Sequence, residues 1–188
     1  MMTTGFFAGA PMPIVTESKP FTPVAADLFR HGMRYLAAGV SIVTSLRGAG
    51  RAGLTATAVC SLTAEPPQLL ACVNRGAEAH DAIAESRVLC VNLLAGRHRA
   101  LAQRFAGEGD CQGPARFLAG EWTTMLTGAP ALADSLASFD CRLVEAIPAS
   151  THTVFIAQVV AVSEPGPGPV LVYADGRYRD LSLDPAVL

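Results

Sequence analysis

Apolar and polar residues alternate one by one over 54–62, the two-residue period of a strand. Leu54, Ala56, Ala58, Cys60 and Leu62 fall on one face, and Thr55, Thr57, Val59 and Ser61 on the other. Upstream the period is different. Leu28, Phe29, Met33, Leu36 and Val40 recur at helical spacing behind Thr22-Pro23, an N-cap residue followed by proline at the first helical position. With Gly39 as the stop, this predicts a first helix of roughly four turns. Residues 1–20 hold Gly5, Gly9, Pro11, Pro13 and Pro20 and no period, which predicts a loose arm ahead of one domain over 21–188.

Further β-rich runs lie at 40–46, 69–74, 88–94, 139–147, 153–162 and 170–173. Gly48-Ala49-Gly50, Pro66-Pro67 and the alternating prolines and glycines of 165–169 separate them as turns. Two more helices are expected at 78–85 and 97–106, the second with Leu101 and Phe105 on one side and Gly107 at its end. Residues 107–120 read as a loop. Many short strands and three helices, without regular strand–helix alternation, predict a mainly β fold: an antiparallel barrel decorated by helices.

Composition narrows this picture. The 188 residues suit one domain and are enough for a core without disulfide or metal. Charged residues make up 16 % and apolar residues 51 %, against about 25 % charged in an ordinary soluble chain. Part of the surface is therefore expected to be covered by another chain. A net charge of −2 gives no electrostatic case for nucleic acid. Cys60, Cys72, Cys90, Cys111 and Cys141 are odd in number and form no CxxC, so buried, reduced thiols of a cytoplasmic protein are expected. The first lysine is Lys19, so a basic secretory start is missing. Apolar runs such as 170–174 fall far short of the ~20 residues that span a membrane, and no membrane partner is expected.

Three features carry candidate chemistry. The hydroxyls of Thr55, Thr57 and Ser61 share a predicted face that suits a heteroaromatic ring with polar edges, and equally a solvent-facing strand. Arg75-Gly76-Ala77 precedes a helix, where free backbone N–H groups, the helix dipole and one arginine suit a phosphate; an ordinary strand-to-helix turn looks the same. His31, His80, His98 and His152 form no metal-ligand pair, and only His152, between Thr151 and Thr153 at a strand start, stands where site residues are common. GxGxxG, P-loop and GxSxG motifs are all missing.

The run Gly53-Leu54-Thr55-Ala56-Thr57-Ala58-Val59-Cys60-Ser61-Leu62-Thr63, with Pro66-Pro67 and Leu69-Leu70-Ala71-Cys72-Val73-Asn74 after it, resembles the signature of the short-chain flavin reductases. These are the small reductase components of two-component flavin-dependent monooxygenases, among them those serving 4-hydroxyphenylacetate and pyrimidine oxidation. The resemblance continues through Leu89-Cys90-Val91-Asn92-Leu93-Leu94, Leu101-Ala102-Gln103-Arg104-Phe105-Ala106-Gly107, Ser138-Phe139-Asp140-Cys141, Thr151-His152-Thr153 and Leu171-Val172-Tyr173, covering about residues 25–180.

The resemblance implies an FMN-binding split barrel of antiparallel Greek-key type, paired as a homodimer with flavin sites near the interface. NADH, or alternatively NADPH, reduces FMN, or alternatively FAD, and reduced flavin passes to a partner monooxygenase. Thr55, Ala56, Thr57, Ala58 and Val59 would edge the isoalloxazine ring, continued by Ser61 and Leu62. Gly76 and Ala77 would lie at the phosphate, Arg104 and Phe105 would close the site, and His152 would act beside the nicotinamide. No metal is implied. Two departures matter. Ala77 stands where the family often has Ser or Lys, which shifts phosphate holding to backbone N–H groups and to Arg75 or Arg104. Tyr178-Arg179 stands where Tyr-His or Phe-His is common, which alters the nicotinamide side. The same barrel would also serve reduction of a corrinoid or ferric chelate, or flavin binding without turnover.

Overall fold

The computed structural model describes residues 21–182, so the arm expected over 1–20 lies outside the described residues. The chain divides into two units after Met33. In the first, helix α1 spans only Ala26–Met33, and its Leu28, Phe29 and Met33 are exposed. The four-turn helix predicted through Val40 does not form. Gly32 weakens its last turn, and further on the backbone pairs in sheets: the Val40 N–H donates to the Leu171 carbonyl at 2.9 Å, and the Val40 carbonyl accepts from Leu94 at 3.0 Å.

The second unit contains β1 (Ala38–Gly39), β2 (Ser41–Arg47), β3 (Gly50–Ala56), β4 (Val59–Ala64), β5 (Pro67–Asn74), α2 (Glu78–Ser86), β6 (Val88–Leu93) and α3 (Arg99–Phe105). It continues with β7 (Trp122–Thr124), β8 (Pro130–Leu132), β9 (Ala137–Ala149), β10 (His152–Val162), β11 (Val170–Ala174) and β12 (Arg177–Leu181). Short 3-10 turns at Gly96–His98 and Gly113–Leu118 flank α3 and the loop after it.

Seven strands form one antiparallel sheet in the order β3-β2-β6-β9-β10-β5-β4. Its two edges, β3 and β4, are consecutive in the chain with only Thr57 and Ala58 between them. So short a link joins opposite edges only if the sheet curls until they meet. The barrel expected from the strand pattern is thus present. Its interior takes every second residue: Leu69, Ala71 and Val73 of β5 are buried with Val43, Leu89, Val91 and Phe155, and Ile83 of α2 joins them. A second apolar cluster, Val40, Ile42, Leu94, Leu101, Phe105, Phe117, Leu132 and Leu171, cements α3 and the smaller sheet β1-β11-β12 onto the barrel.

The run at 54–62 is not one strand. It breaks at Thr57–Ala58, and the alternation slips there. Leu54 and Ala56 pack in the barrel core together with Val59, whereas Cys60 and Leu62 are exposed. Thr55, Thr57 and Ser61 therefore do not share one face. The cysteine expectation is corrected likewise. Cys90 and Cys141 are buried, but Cys60 is exposed on β4, and Cys72 and Cys111 are half-buried. Strand β12 escaped the pattern although Asp175-Gly176 announces its hairpin: both residues have positive φ, +50° and +70°, as a two-residue type I′ turn requires.

Candidate active site

Two groups of the expected site residues come together, on either side of β3. The first surrounds α3. Thr55 donates its hydroxyl to the Ala102 carbonyl at 2.6 Å, so this group is engaged in holding α3 on the barrel rather than facing an open wall. Phe105 is 1 % exposed. Expected to close the site, it lies instead in the second core, its ring 4.9 Å from Phe117 and 5.5 Å from Trp122. Close approach of β3 requires Gly53: a Cβ there would stand 2.9 Å from Phe105 Cε1. Arg104 donates to the Ala115 carbonyl at 3.1 Å, and Arg116 reaches the Gly53 carbonyl at 3.2 Å, so the loop after α3 is laid across β3. Tyr178 packs half-buried against this cluster with Tyr173 at 5.1 Å; burial, then the charge of Glu108, raises its pKa, so the phenol keeps its proton. Arg179 beside it is exposed.

The second group forms where β5 runs into α2. Asn74 shapes the turn, its side-chain oxygen accepting the Gly76 N–H at 2.8 Å and its carbonyl the Ala77 N–H at 3.0 Å. A Cβ on Gly76 would sit 3.3 Å from that side-chain oxygen. Ala77 is the N-cap of α2 and offers no side-chain acceptor to the first-turn N–H groups. Arg75 is exposed beside it, and its N–H donates to the Thr151 carbonyl at 2.9 Å. That bond carries the chain to His152, whose Cα is paired with that of Asn74 and whose Nδ1 is 2.9 Å from Thr151 Oγ1.

Glu78 links the two groups. It opens α2, pairs with Arg47, and its carboxylate lies 3.6 Å from the Cβ position of Gly113 in the loop that follows α3. Between the groups runs the barrel-closing segment, with Thr57, Ala58, Ser61 and Leu62 exposed and Ala56 and Val59 turned toward the core. Asn74, His80, Thr153 and Arg116 were missed in the sequence. Asn74 reads in the sequence as the end of a strand, and Thr153, the partner of His80 Nε2, is remote in sequence. An open cleft of about 280 Å³, lined among others by Arg51, Trp122 and Thr124, contains none of the expected site residues.

This donor set fits a flavin mononucleotide. Hydroxyls and backbone along Thr57–Leu62 suit the ring, and an uncapped helix start with a neighbouring arginine suits the phosphate. Among the described residues, no helix is long and apolar enough to cross a membrane.

Comparison with known proteins agrees with the fold. Residues 33–182 match the flavin reductase like domain. The chain is 45 % identical over 157 residues to the FMN reductase (NADH) RutF of Variovorax paradoxus, covering 84 % of this chain and 86 % of that protein. It is 43 % identical over 164 residues to RutF of Bradyrhizobium diazoefficiens, covering 87 % and 90 %. The solved structure ycdh of Haemophilus somnus 129PT superposes with a TM-score of 0.80 at 37 % identity, covering 84 % of this chain and all of that one. BorF, the flavin reductase component of a bacterial two-component tryptophan halogenase, does so with a TM-score of 0.78 at 28 % identity, covering 85 % of this chain and all of BorF. Fold and relatives thus define a split-barrel flavin reductase. The chain belongs to the flavin reductase-like family.

Proposed function

We propose that this flavin reductase oxidises NADH, passes the hydride to FMN, and releases reduced FMN to a partner monooxygenase in the cytoplasm. The observation that carries this reading is the juxtaposition of the Arg75–Ala77 turn with His152 on paired strand ends. One corner thereby offers an anion site and an exposed imidazole. When bound, flavin supplies the hydride-accepting ring. The chain supplies the rest. Thr57 and Ser61 present hydroxyls to the ring edge. Glu78 and Ala79 in the uncapped first turn of α2, with Arg75, receive the phosphate. Arg104 is engaged with the Ala115 carbonyl, which leaves Arg75 as the arginine for the phosphate. His152 donates a hydrogen bond to the nicotinamide carboxamide and orients it; Tyr178 and Arg179, expected on that side, stand in the group around α3.

Pairing as a homodimer belongs to the same reading. The outer barrel face carries apolar residues on four strands: Cys60 on β4, Leu70 on β5, Val154 and Ile156 on β10, and Ile147 on β9 fall in register, with Leu62 exposed at the β4 bulge and Glu145 beside Ile156. Such a face suits a second copy of the chain. The relatives named FMN reductase (NADH) support the use of FMN and NADH.

The test is NADH and NADPH oxidation measured separately with FMN, FAD and riboflavin. FMN with NADH should give the highest kcat/KM, and FMN should bind more tightly than riboflavin. Arg75→Ala should remove most of that preference. Equal affinity for FMN and riboflavin in the parent protein overturns the phosphate site, and failure to oxidise either nucleotide overturns the activity.

A further inference from the structure

His80 lies outside the residues that the resemblance assigns, yet both of its ring nitrogens have partners. It sits in the first turn of α2 with its side chain 14 % exposed. Nδ1 is 2.8 Å from Asp81 Oδ1, and Nε2 is 2.9 Å from Thr153 Oγ1. The ring rests on Phe155 with centroids 5.3 Å apart. An ionised carboxylate only accepts, so Nδ1 carries the proton. In the neutral ring Nε2 then accepts, and the Thr153 hydroxyl donates to it.

This bond closes a set of ties. Thr153 is 5 % exposed and points into the barrel, so its exposed neighbour His152 faces the other way along the strand. His152 is register-paired with Asn74, and the Thr151 carbonyl accepts the Arg75 N–H at 2.9 Å. Three successive residues at the start of β10 are thus each tied to the stretch from Asn74 to His80. The preceding hairpin tip, with Ser150 at φ +52°, is exposed and gives the strand end no packing of its own. Without His80 the Thr153 hydroxyl would be buried and unpaired, and the strand end would shift to hydrate it.

We propose that His80 is a positioning residue for hydride transfer: through Thr153 it locks the start of β10 against the Asn74–Ala77 turn and so holds His152 at the nicotinamide. The proposal rests on the reading of His152 as the nicotinamide-side residue, and the experiment separates the two.

Stopped-flow reduction by NADH of the full-length, FMN-loaded protein is compared for the parent, Thr153→Val, Thr153→Ser, His152→Ala and the Thr153→Val/His152→Ala double variant. Thr153→Val keeps the shape and removes the hydroxyl. It should slow flavin reduction or raise half-saturation by NADH about 2- to 12-fold, the range given by loss of one neutral hydrogen bond. Thr153→Ser should restore the parental behaviour, and in the His152→Ala background Thr153→Val should add nothing. A parental rate for Thr153→Val, or an equal loss with and without His152, overturns the proposal. A parental rate for His152→Ala alone overturns the underlying reading and the proposal with it. A second readout needs neither flavin nor turnover. Nitrogen-15 NMR of the flavin-free protein should find the proton of His80 on Nδ1, with the Nε2 resonance moving in Thr153→Val as its hydrogen bond is lost; a proton resident on Nε2 in the parent, or an unmoved Nε2 resonance in Thr153→Val, overturns the assignment.

Discussion

Ala77 stands at the N-cap of α2 with a methyl group where a capping oxygen is usual. The His80 N–H donates to the Ala77 carbonyl at 2.9 Å, and the N–H groups of Glu78 and Ala79 keep their hydrogen-bonding capacity for a ligand anion. Ala77→Ser should fill the cap and raise protein stability by about 0.5–2 kcal/mol, read as a higher urea midpoint, while weakening FMN binding through competition for the same N–H groups. A lower midpoint, or tighter FMN binding, contradicts the uncapped-turn argument. Thr57 is the exposed hydroxyl of the barrel-closing link. Thr57→Val should weaken FMN about 2- to 12-fold by losing one neutral hydrogen bond, measured by flavin fluorescence titration; an unchanged Kd places the ring elsewhere. At this scale the sequence revealed residue types better than their use. The hydroxyls of Thr55 and Thr57 are two residues apart, yet Thr55 serves α3 and Thr57 does not, because α3 covers β3 only as far as Thr55. Nothing local to Phe105 reveals that Phe117 and Trp122, from a loop beyond it, enclose its ring.

Elements were legible where one periodic run made one strand or helix. β5, α2, α3 and β10 follow their patterns closely, because burial on one side and greater exposure on the other enforce the period, whereas β6, buried on both faces, is legible as a short and mostly apolar run. The pattern misled at Thr57–Ala58, where two strands of equal period adjoin and the slip in phase is invisible to alternation. It was silent for β7 and β8, three residues each, too short to carry a period. Those two strands are held by polar groups instead: buried Asn92 accepts the Leu132 N–H at 2.7 Å, and buried Asp140 accepts the Thr127 N–H at 2.8 Å. Packing of α3 on β3 depends on Gly53. Gly53→Ala should cost about 1–3 kcal/mol by forcing Phe105 aside, seen as a lower denaturant midpoint; no change would mean that the second core has slack. Asp134 ties the turn before α3 to the end of β8, through His98 Nε2 at 3.0 Å and Arg97 Nε at 3.2 Å. Burial alone would raise its pKa, but the hydrogen bonds and charges of His98 and Arg97 outweigh that and hold it below the ordinary carboxylate value. A depressed pKa contributes stability above the unfolded value, about 3.9, and loses it as pH falls through the folded one. Asp134→Asn should therefore lower Tm at pH 7, with the gap to the parent closing in acid; a gap independent of pH would exclude the ion pair as its source.

At the scale of the molecule, low charge and an apolar outer barrel face converge on one expectation. Only 16 % of the residues are charged, and the face over β4, β5, β10 and β9 presents Cys60, Leu70, Val154, Ile156 and Ile147 in register, with Leu62 at the β4 bulge 44 % and Ile147 41 % exposed. A monomer would leave this face in water. A two-fold pairing would cover it on both copies with the same residues, and would bring the second copy beside Ser61 and Leu62 of the proposed flavin wall. Light scattering should give twice the chain mass of 19.6 kDa. Ile147→Asp, which adds a charge to the face without entering the core, should yield a folded protein of single mass. The cysteines supply an internal control. Cys60 lies on the face, whereas Cys141 is buried in the barrel core and Cys90 against Ala129 and Ala131, and burial, then the Asp140 charge, raises both thiols, Cys141 to about 12. Alkylation followed peptide by peptide should leave Cys60 slow in the parent and fast in Ile147→Asp, with Cys90 and Cys141 unreactive in both until the fold is lost. A parent of single mass whose Cys60 reacts at once would show that the outer face is free, and would remove the second copy from the flavin site.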